Sequence, residues 1–148
     1  IRRQRQMCIR DRMQPILCVG ESLKERQQGV ALDFAVGQVH DVTRDLDAKQ
    51  AKRLIIAYEP VWAIGTGMVA TANSAQEAAL AIREDLRVTF GDDVADTVRI
   101  LYGGSVTSSN ASSLIAEPDV DGFLVGGASL DAEELSNIVR LTAAQSRL

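Results

Sequence analysis

Short apolar runs alternate along the chain with longer stretches in which apolar residues recur at helical spacing. Four runs, each four or five residues long and rich in Ile, Leu and Val, predict strands that are buried on both faces. They lie at residues 16–19, 54–58, 98–102 and 122–125. The amphipathic stretches predict helices near residues 30–47, 74–90, 108–116 and 131–145.

This order indicates an α/β fold with a parallel sheet and right-handed crossovers. Two architectures fit it, a doubly wound sheet and part of a (βα)8 barrel, and periodicity does not separate them. In both, ligands bind beyond the carboxyl ends of the strands. The residues that follow each apolar run are therefore the candidate site residues.

The predicted helix at 74–90 carries an apolar stripe that should face the sheet. Ser74 and Glu77 have the spacing of a capping box at its start, and Asp131 could cap the last helix. The stripe consists of Ala75, Ala78, Ala79, Ile82 and Leu86.

Glu59 follows the second run and is itself followed by Pro60. Proline disfavours helical geometry at the residue before it, so Glu59 should stay extended and project its carboxylate from the strand end. Residues 60–67, here called the lid segment, are apolar, contain the only tryptophan and end in glycines. Such a segment could close over the carboxylate and exclude water. The alternative is a surface glutamate beside a loop that packs on a neighbour.

Glycine pairs follow the third and fourth runs, at Gly103–Gly104 and Gly126–Gly127. Paired glycines let the backbone approach a ligand and turn several N–H groups toward one point. Because consecutive strands of a parallel sheet are neighbours, the two glycine loops predict a phosphate cradle made of backbone. Tight turns use the same residues, so either pair alone is a weak signal.

Three other features predict no chemistry from the residues alone. Gly20, Glu21 and Ser22 indicate a turn and the start of a helix. His40, the only histidine, lies within the first long helix, where a surface or partly packed side chain is expected, and no metal cluster is predicted. Cys18 lies inside an apolar run, where a buried thiol is ordinary.

Composition narrows the function classes. The 148 residues carry 16 Lys and Arg against 20 Asp and Glu, a net charge of −4 that does not favour nucleic-acid binding. No apolar run approaches the roughly 20 residues that a bilayer span requires, so no membrane association is expected. Two cysteines do not make a disulfide framework, and a reduced, cytoplasmic location is expected.

Residues 1–13 differ from the rest of the chain. They hold five arginines against one aspartate and show neither helical nor strand periodicity. A basic arm for nucleic acid is one interpretation. We instead expect a leader that is disordered or foreign, ahead of a domain at residues 14–148.

Four motifs, in order and at matching spacing, resemble triose-phosphate isomerase. They are CVGE at 18–21, AYEPVWAIGTG at 57–67, YGGSV at 102–106 and DGFLVGGASL at 121–130. The resemblance covers about residues 14–148 and leaves residues 1–13 unmatched. It implies a TIM (βα)8 barrel, of which the last four βα units, the C-terminal half, are present.

The family interconverts dihydroxyacetone phosphate and glyceraldehyde 3-phosphate without a cofactor or metal. The resemblance implies that Glu59 is the general base, which moves a proton between adjacent carbons through an enediol or enediolate. It also implies that Tyr102 and Ser105 hold the closed lid segment. The lid would consist of Pro60, Val61, Trp62, Ala63, Ile64, Gly65, Thr66 and Gly67. The substrate phosphate would bind the backbone N–H groups of Gly65, Ser105, Gly126 and Gly127.

The chain also departs from the family pattern. An Asn-x-Lys and a catalytic histidine come from the N-terminal half of the family barrel, and neither has a counterpart here; His40 does not match. Met68 and Val69 stand at the far hinge of the lid, where a Lys or Arg and a small polar residue are more usual. Because the N-terminal half has no counterpart, we expect this chain to be a fragment. The resemblance implies that its full-length parent is a homodimer.

Two other functions are compatible with the sequence. A non-catalytic half-barrel would keep only the phosphate cradle of the two glycine loops. Another phosphate-handling barrel enzyme would also explain the glycines, but it would not explain the whole segment from Glu59 to Gly67.

Overall fold

A parallel sheet of four strands forms the centre of the computed structural model, which describes residues 13–64 and 68–145. The strands lie in the order β1-β2-β3-β4, so the four predicted strands and their parallel pairing are confirmed. Tyr58 pairs with Val19 on one side and Tyr102 on the other, which brings the strand ends level. The strands are β1 (Ile16–Val19), β2 (Ile55–Tyr58), β3 (Arg99–Tyr102) and β4 (Gly122–Phe123).

Seven α-helices connect and cover these strands within the described residues. The predicted helix at 30–47 ends early, at Thr43, and Asp47 caps a separate helix: its side chain accepts from the N–H of Gln50, at 2.8 Å. The predicted helix at 74–90 is followed by a further short helix after Gly91, whose φ of 89° ends the first one. The helices are α1 (Leu23–Gln27), α2 (Ala31–Thr43), α3 (Ala48–Ala51), α4 (Ala72–Phe90), α5 (Asp92–Thr97), α6 (Ala111–Ile115) and α7 (Ala132–Gln145).

The predicted capping box at Ser74 is wrong. The N-cap of α4 is Thr71, whose hydroxyl accepts from the N–H of Ser74 at 3.1 Å. The predicted cap of the last helix is confirmed, because Asp131 accepts from the N–H groups of Glu133 and Glu134.

The hydrophobic core lies between the sheet and helices α2, α4 and α7. The predicted stripe on α4 is buried throughout, with Ile82 and Leu86 fully enclosed. Arg83 is buried among them and donates to the carboxylates of Asp119 and Asp121, at 2.7 and 2.8 Å. This ion-pair network around a buried arginine fixes the segment that leads into β4.

The described residues leave the sheet open rather than closed into a barrel. Within this part of the chain β1 pairs only with β2, and β4 only with β3. Ile16 on β1 is 46% exposed, and Cys18 is exposed as well, so the expectation of a buried thiol is wrong. Ile16 and Cys18 are two residues apart on β1, so their exposed side chains lie on the same face of the sheet.

None of the helices in the described residues is both long and apolar enough to cross a membrane. The predicted leader at residues 1–13 falls outside the described residues except for Met13.

Candidate functional site

A cavity of ≈ 540 Å³, here called the strand-end cavity, lies at the carboxyl ends of the strands. Its lining brings together four of the predicted site residues from three different loops; they are Glu59, Ser105, Gly126 and Gly127. Ile64 of the lid segment also lines it. The remaining predicted phosphate ligand, Gly65, lies outside the described residues, as do Thr66 and Gly67.

Glu59 is held directly beyond β2. Its backbone N–H donates to the carbonyl of Val19 at 2.7 Å, which continues the β1–β2 ladder by one residue. Pro60 follows with φ −62° and ψ 102°, an extended geometry that turns the chain into the lid segment. The half-buried Glu59 side chain thus lines the strand-end cavity while its backbone belongs to the sheet.

The thiol of Cys18 contacts the Glu59 carboxylate from the neighbouring strand. Although the residue as a whole is exposed, three causes together raise the pKa of Cys18 to about 11: partial burial of the thiol, which is the largest, the hydrogen bond to Glu59 and the charge of Glu59. The thiol therefore stays protonated at neutral pH and is a hydrogen-bond donor to the carboxylate. The sequence did not indicate that this residue lies at the site.

Gly20 and Gly103 have no side chains, and Glu59 occupies the space that side chains at these positions would fill. A Cβ on Gly20 would lie 1.8 Å from the Glu59 carbonyl oxygen, and one on Gly103 would lie 2.5 Å from Glu59 Cγ. Any side chain at either position would displace the glutamate, since heavy atoms in contact do not approach so closely. The glycine after β3 thus fits against Glu59, a use that the sequence did not indicate.

The two glycine loops are neighbours, as predicted from adjacent strands. The N–H of Gly103 donates to the carbonyl of Tyr58 at 2.8 Å, and the N–H of Leu124 donates to Tyr102 at 3.0 Å. These hydrogen bonds extend the sheet pairing of β3 and β4 to the start of the glycine loops. Asn110 donates to the Ser105 carbonyl at 2.9 Å and fixes the first loop from outside.

The second glycine loop leads into a 3₁₀ turn at Gly127–Leu130. Gly126 and Gly127 are exposed, and no other atom lies within 4 Å of a Cβ built on either residue. Packing therefore does not require glycine here. Open backbone at the cavity wall is what a cradle of N–H groups needs.

Glu134 on α7 also lines the strand-end cavity, and the sequence did not single it out. Its carboxylate accepts from the N–H and the hydroxyl of Ser108, at 2.6 and 2.9 Å. These bonds join α7 to the loop that follows β3. The carboxylate therefore braces the wall of the cavity.

The described part of the lid segment is anchored by Glu21. Val61–Ala63 form a 3₁₀ turn, and the N–H of Val61 donates to the Glu21 carbonyl at 3.0 Å. The indole of Trp62 donates to the Glu21 carboxylate at 2.8 Å. The guanidinium of Arg26 pairs with the same carboxylate at 3.3 Å and lies 4.5 Å from the Trp62 ring.

Glu21 is the residue that sequence analysis missed most clearly. The predicted turn and helix start are correct, because Ser22 caps α1. However, Glu21 has no exposed surface, and it also accepts from the hydroxyl of Tyr58, at 3.0 Å. Tyr58 and Trp62 lie 37 and 41 residues away, so no local pattern distinguishes this carboxylate from an exposed one.

Tyr102 is buried close to Ala70, which follows the lid segment in sequence. Burial raises the pKa of its hydroxyl, the nearby N–H of Ala70 opposes this shift, and the charge of Glu21 adds to it. A Cβ on Gly104 would lie 2.2 Å from this hydroxyl, so the tyrosine occupies the space that glycine leaves. Tyr102 therefore lies next to the residues that follow the lid.

Among the residues that the structure describes, the strand-end cavity includes neither a metal site nor a histidine. The described residues hold no group of three His, Cys, Asp or Glu side chains that could bind a metal ion. His40 is exposed on α2 and does not line the strand-end cavity.

Comparison with known proteins identifies the family. A family model described as triosephosphate isomerase matches residues 1–142. Three relatives with that name are similar over most of this chain. The protein of Bifidobacterium longum strain DJO10A is 74% identical over 129 residues, which are 87% of this chain and 48% of the relative. That of Bifidobacterium adolescentis is 70% identical over 88% of this chain and 49% of its own length. That of Saccharopolyspora erythraea is 46% identical over 97% of this chain and 55% of its own length.

The chain thus spans about half the length of the curated relatives that it matches. The match to the family model covers the segment that carries Glu59 and both glycine loops. The chain belongs to the triosephosphate isomerase family.

Proposed function

We propose that the full-length protein interconverts dihydroxyacetone phosphate and glyceraldehyde 3-phosphate, with Glu59 as the general base. The observation that supports this most directly is the shared lining of the strand-end cavity by Glu59 and the two glycine loops. A carboxylate at one end and open backbone at the other suit a three-carbon sugar phosphate. The proposal extends to a cytoplasmic homodimer on family membership alone.

In the proposed reaction, Glu59 takes a proton from the carbon beside the carbonyl and returns it to the adjacent carbon. The backbone N–H groups of Gly65, Ser105, Gly126 and Gly127 bind the phosphate. Closure of the lid segment excludes water and suppresses loss of phosphate from the enediolate. The lysine and histidine of the family's site would come from the part of the relatives that this chain does not match.

Substitution of Glu59 in the full-length protein tests the proposal. Glu59→Gln removes the base, and we expect turnover to fall by about 10³-fold while KM changes little. Glu59→Asp withdraws the carboxylate by one methylene and should cost about 10²-fold. The assay couples the aldehyde product to a dehydrogenase. Glu77→Gln, on the exposed face of α4, is the matched control and should retain full turnover. Unchanged turnover in Glu59→Gln would overturn the assignment.

A non-catalytic phosphate-binding half-barrel is the second candidate. It is favoured by one observation: both glycine loops of this chain line the strand-end cavity. Calorimetric titration of the 148-residue chain with phosphoglycolate, an anion that resembles the enediolate, tests it. Binding without turnover would support the second function, and no heat at millimolar ligand would exclude it.

A further inference from the structure

The backbone of Glu59 is in close contact with the residue that follows β1. The Glu59 N–H donates to the carbonyl of Val19 at 2.7 Å, and the next residue, Gly20, lies against the Glu59 carbonyl. The fit leaves no room for a side chain, since a Cβ on Gly20 would be 1.8 Å from that oxygen and 2.5 Å from its carbon. The position of Gly20 therefore determines where the backbone of Glu59 can lie.

Gly20 is in turn held by a side chain from α2. Its N–H donates to Oε1 of Gln38 at 2.8 Å, across 18 residues of sequence. Gly20 is buried, so its N–H would have no easy access to water if this acceptor were lost. Ala35 and Val39 of the same helix are buried in the core, which fixes the helix that carries Gln38. A continuous set of contacts thus runs from the core helix to the glutamate.

We infer that Gln38 is a positioning residue for Glu59, acting through the backbone of Gly20. The inference rests on the proposed function, in which Glu59 transfers the proton. Proton transfer requires the carboxylate within hydrogen-bond reach of the substrate carbon, and a displacement of about 1 Å can cost about 10²-fold in rate. Without Gln38 as acceptor, the end of β1 is free to shift to satisfy the Gly20 N–H, and the Glu59 backbone shifts with it.

Gln38→Leu in the full-length protein removes the acceptor and keeps a similar volume. We expect kcat to fall about tenfold or more and KM to change by less than about threefold, because the phosphate contacts of Ser105 and Gly127 do not depend on Gly20. Gln38→Glu restores an acceptor oxygen and should return kcat to within about threefold of the wild type. If the leucine variant does not fold, Gln38→Met takes its place with the same expectation.

Gln76→Leu is the matched control, because it should lower stability without moving Glu59. Gln76 on α4 donates to the Asp119 carboxylate at 2.6 Å and accepts from the Asp119 N–H at 3.0 Å. It does not line the strand-end cavity. We expect a lower Tm and an unchanged kcat. Equal losses of kcat in Gln38→Leu and Gln76→Leu would overturn the inference, since both would then reflect stability.

Crystal structures of the wild type and Gln38→Leu supply a readout that does not require activity. We expect the Glu59 backbone to move by about 0.5 Å or more relative to β2, a shift large enough to matter for catalysis. An inactive wild type would refute the proposed function, while this displacement would still decide the role of Gln38. An active wild type with no displacement and no change of kcat in the variant would refute the inference alone.

Discussion

Trp62 donates a 2.8 Å hydrogen bond from Nε1 to Oε1 of Glu21, a carboxylate that has no exposed surface. Tyr58 donates to the same group, and Arg26 pairs with it. Its three partners come from β2, from the lid segment and from α1. One buried carboxylate therefore ties the start of the lid segment to the sheet, so the position of residues 61–63 depends on Glu21.

Substitution of Glu21 should destabilise the protein, and the loss of stability should be larger when more hydrogen-bond donors are left without an acceptor. Glu21→Leu leaves the Tyr58 hydroxyl and the Trp62 indole without an acceptor, and we expect a loss of about 2–5 kcal/mol in the free energy of unfolding. Glu21→Gln keeps one acceptor oxygen and should lose less. Urea denaturation measures both. Glu77→Leu, an exposed glutamate on α4, should change the free energy by less than about 0.5 kcal/mol. A tolerated Glu21→Leu would show that the carboxylate does not anchor the lid.

Neutralising Glu59 should make the Cys18 thiol more reactive. Burial is the largest cause of its raised pKa, and the hydrogen bond and charge of Glu59 add to it. In Glu59→Gln the charge is gone but burial remains, so the pKa should fall from about 11 without reaching 9.0. Below these pKa values the thiolate fraction rises about tenfold for each unit by which the pKa falls.

The measurement is the rate of alkylation by iodoacetamide near pH 9, in a Cys8→Ser background that removes the chain's second cysteine. We expect Glu59→Gln to react about five to ten times faster than the parent. Glu77→Gln should react at the parental rate. Equal rates in the parent and Glu59→Gln would show that the thiol and the carboxylate do not interact.

Much of the fold follows from local patterns that the sequence displays. Continuous apolar runs correctly predicted the four strands. The prediction that both faces are buried was wrong for β1, which exposes Ile16 and Cys18. Helix boundaries were less predictable. Thr71 rather than Ser74 caps α4, because either residue can cap and only the path of the preceding loop selects between them.

The candidate site was predicted where its chemistry is carried by short motifs, and missed where it depends on distant partners. Glu59 beside proline and the two glycine loops are visible in the sequence. Glu21 is not, because its burial results from a tyrosine and a tryptophan brought in by β2 and the lid segment. The contact between Cys18 and Glu59 likewise depends on the register of two neighbouring strands.

Adding one methyl group at Gly103 should impair turnover more than binding. The new Cβ would lie 2.5 Å from Glu59 Cγ and 3.2 Å from Oε1, so the glutamate must rotate away. We expect Gly103→Ala to lower kcat by about tenfold or more, with KM changed by less than about threefold. Steady-state kinetics on the full-length protein measure both values.

Gly37→Ala is the matched control for this substitution. Gly37 lies inside α2, and no atom lies within 4 Å of its added Cβ. We expect unchanged kcat and a gain of about 0.5–1 kcal/mol in stability, because alanine favours the helix. A normal kcat in Gly103→Ala would show that the glutamate has a second productive position.

The 148-residue chain on its own should self-associate. Within its described residues, β1 and β4 each have one unpaired edge, and the edge of β1 exposes the apolar side chain of Ile16. Unpaired parallel edges rich in apolar residues pair with other chains. Size-exclusion chromatography with light scattering should show oligomers whose size increases with concentration.

Two lysine substitutions distinguish association through the strand edges from nonspecific hydrophobic association. Ile16→Lys places a cation on the free edge of β1 and should reduce association, since a lysine there is costly to bury between chains. Val88→Lys makes the same change on α4, where the side chain is already 87% exposed and far from either edge, and should leave association unchanged. A soluble monomer with a sharp, two-state thermal transition would contradict the prediction, because two open strand edges would then be stable in water.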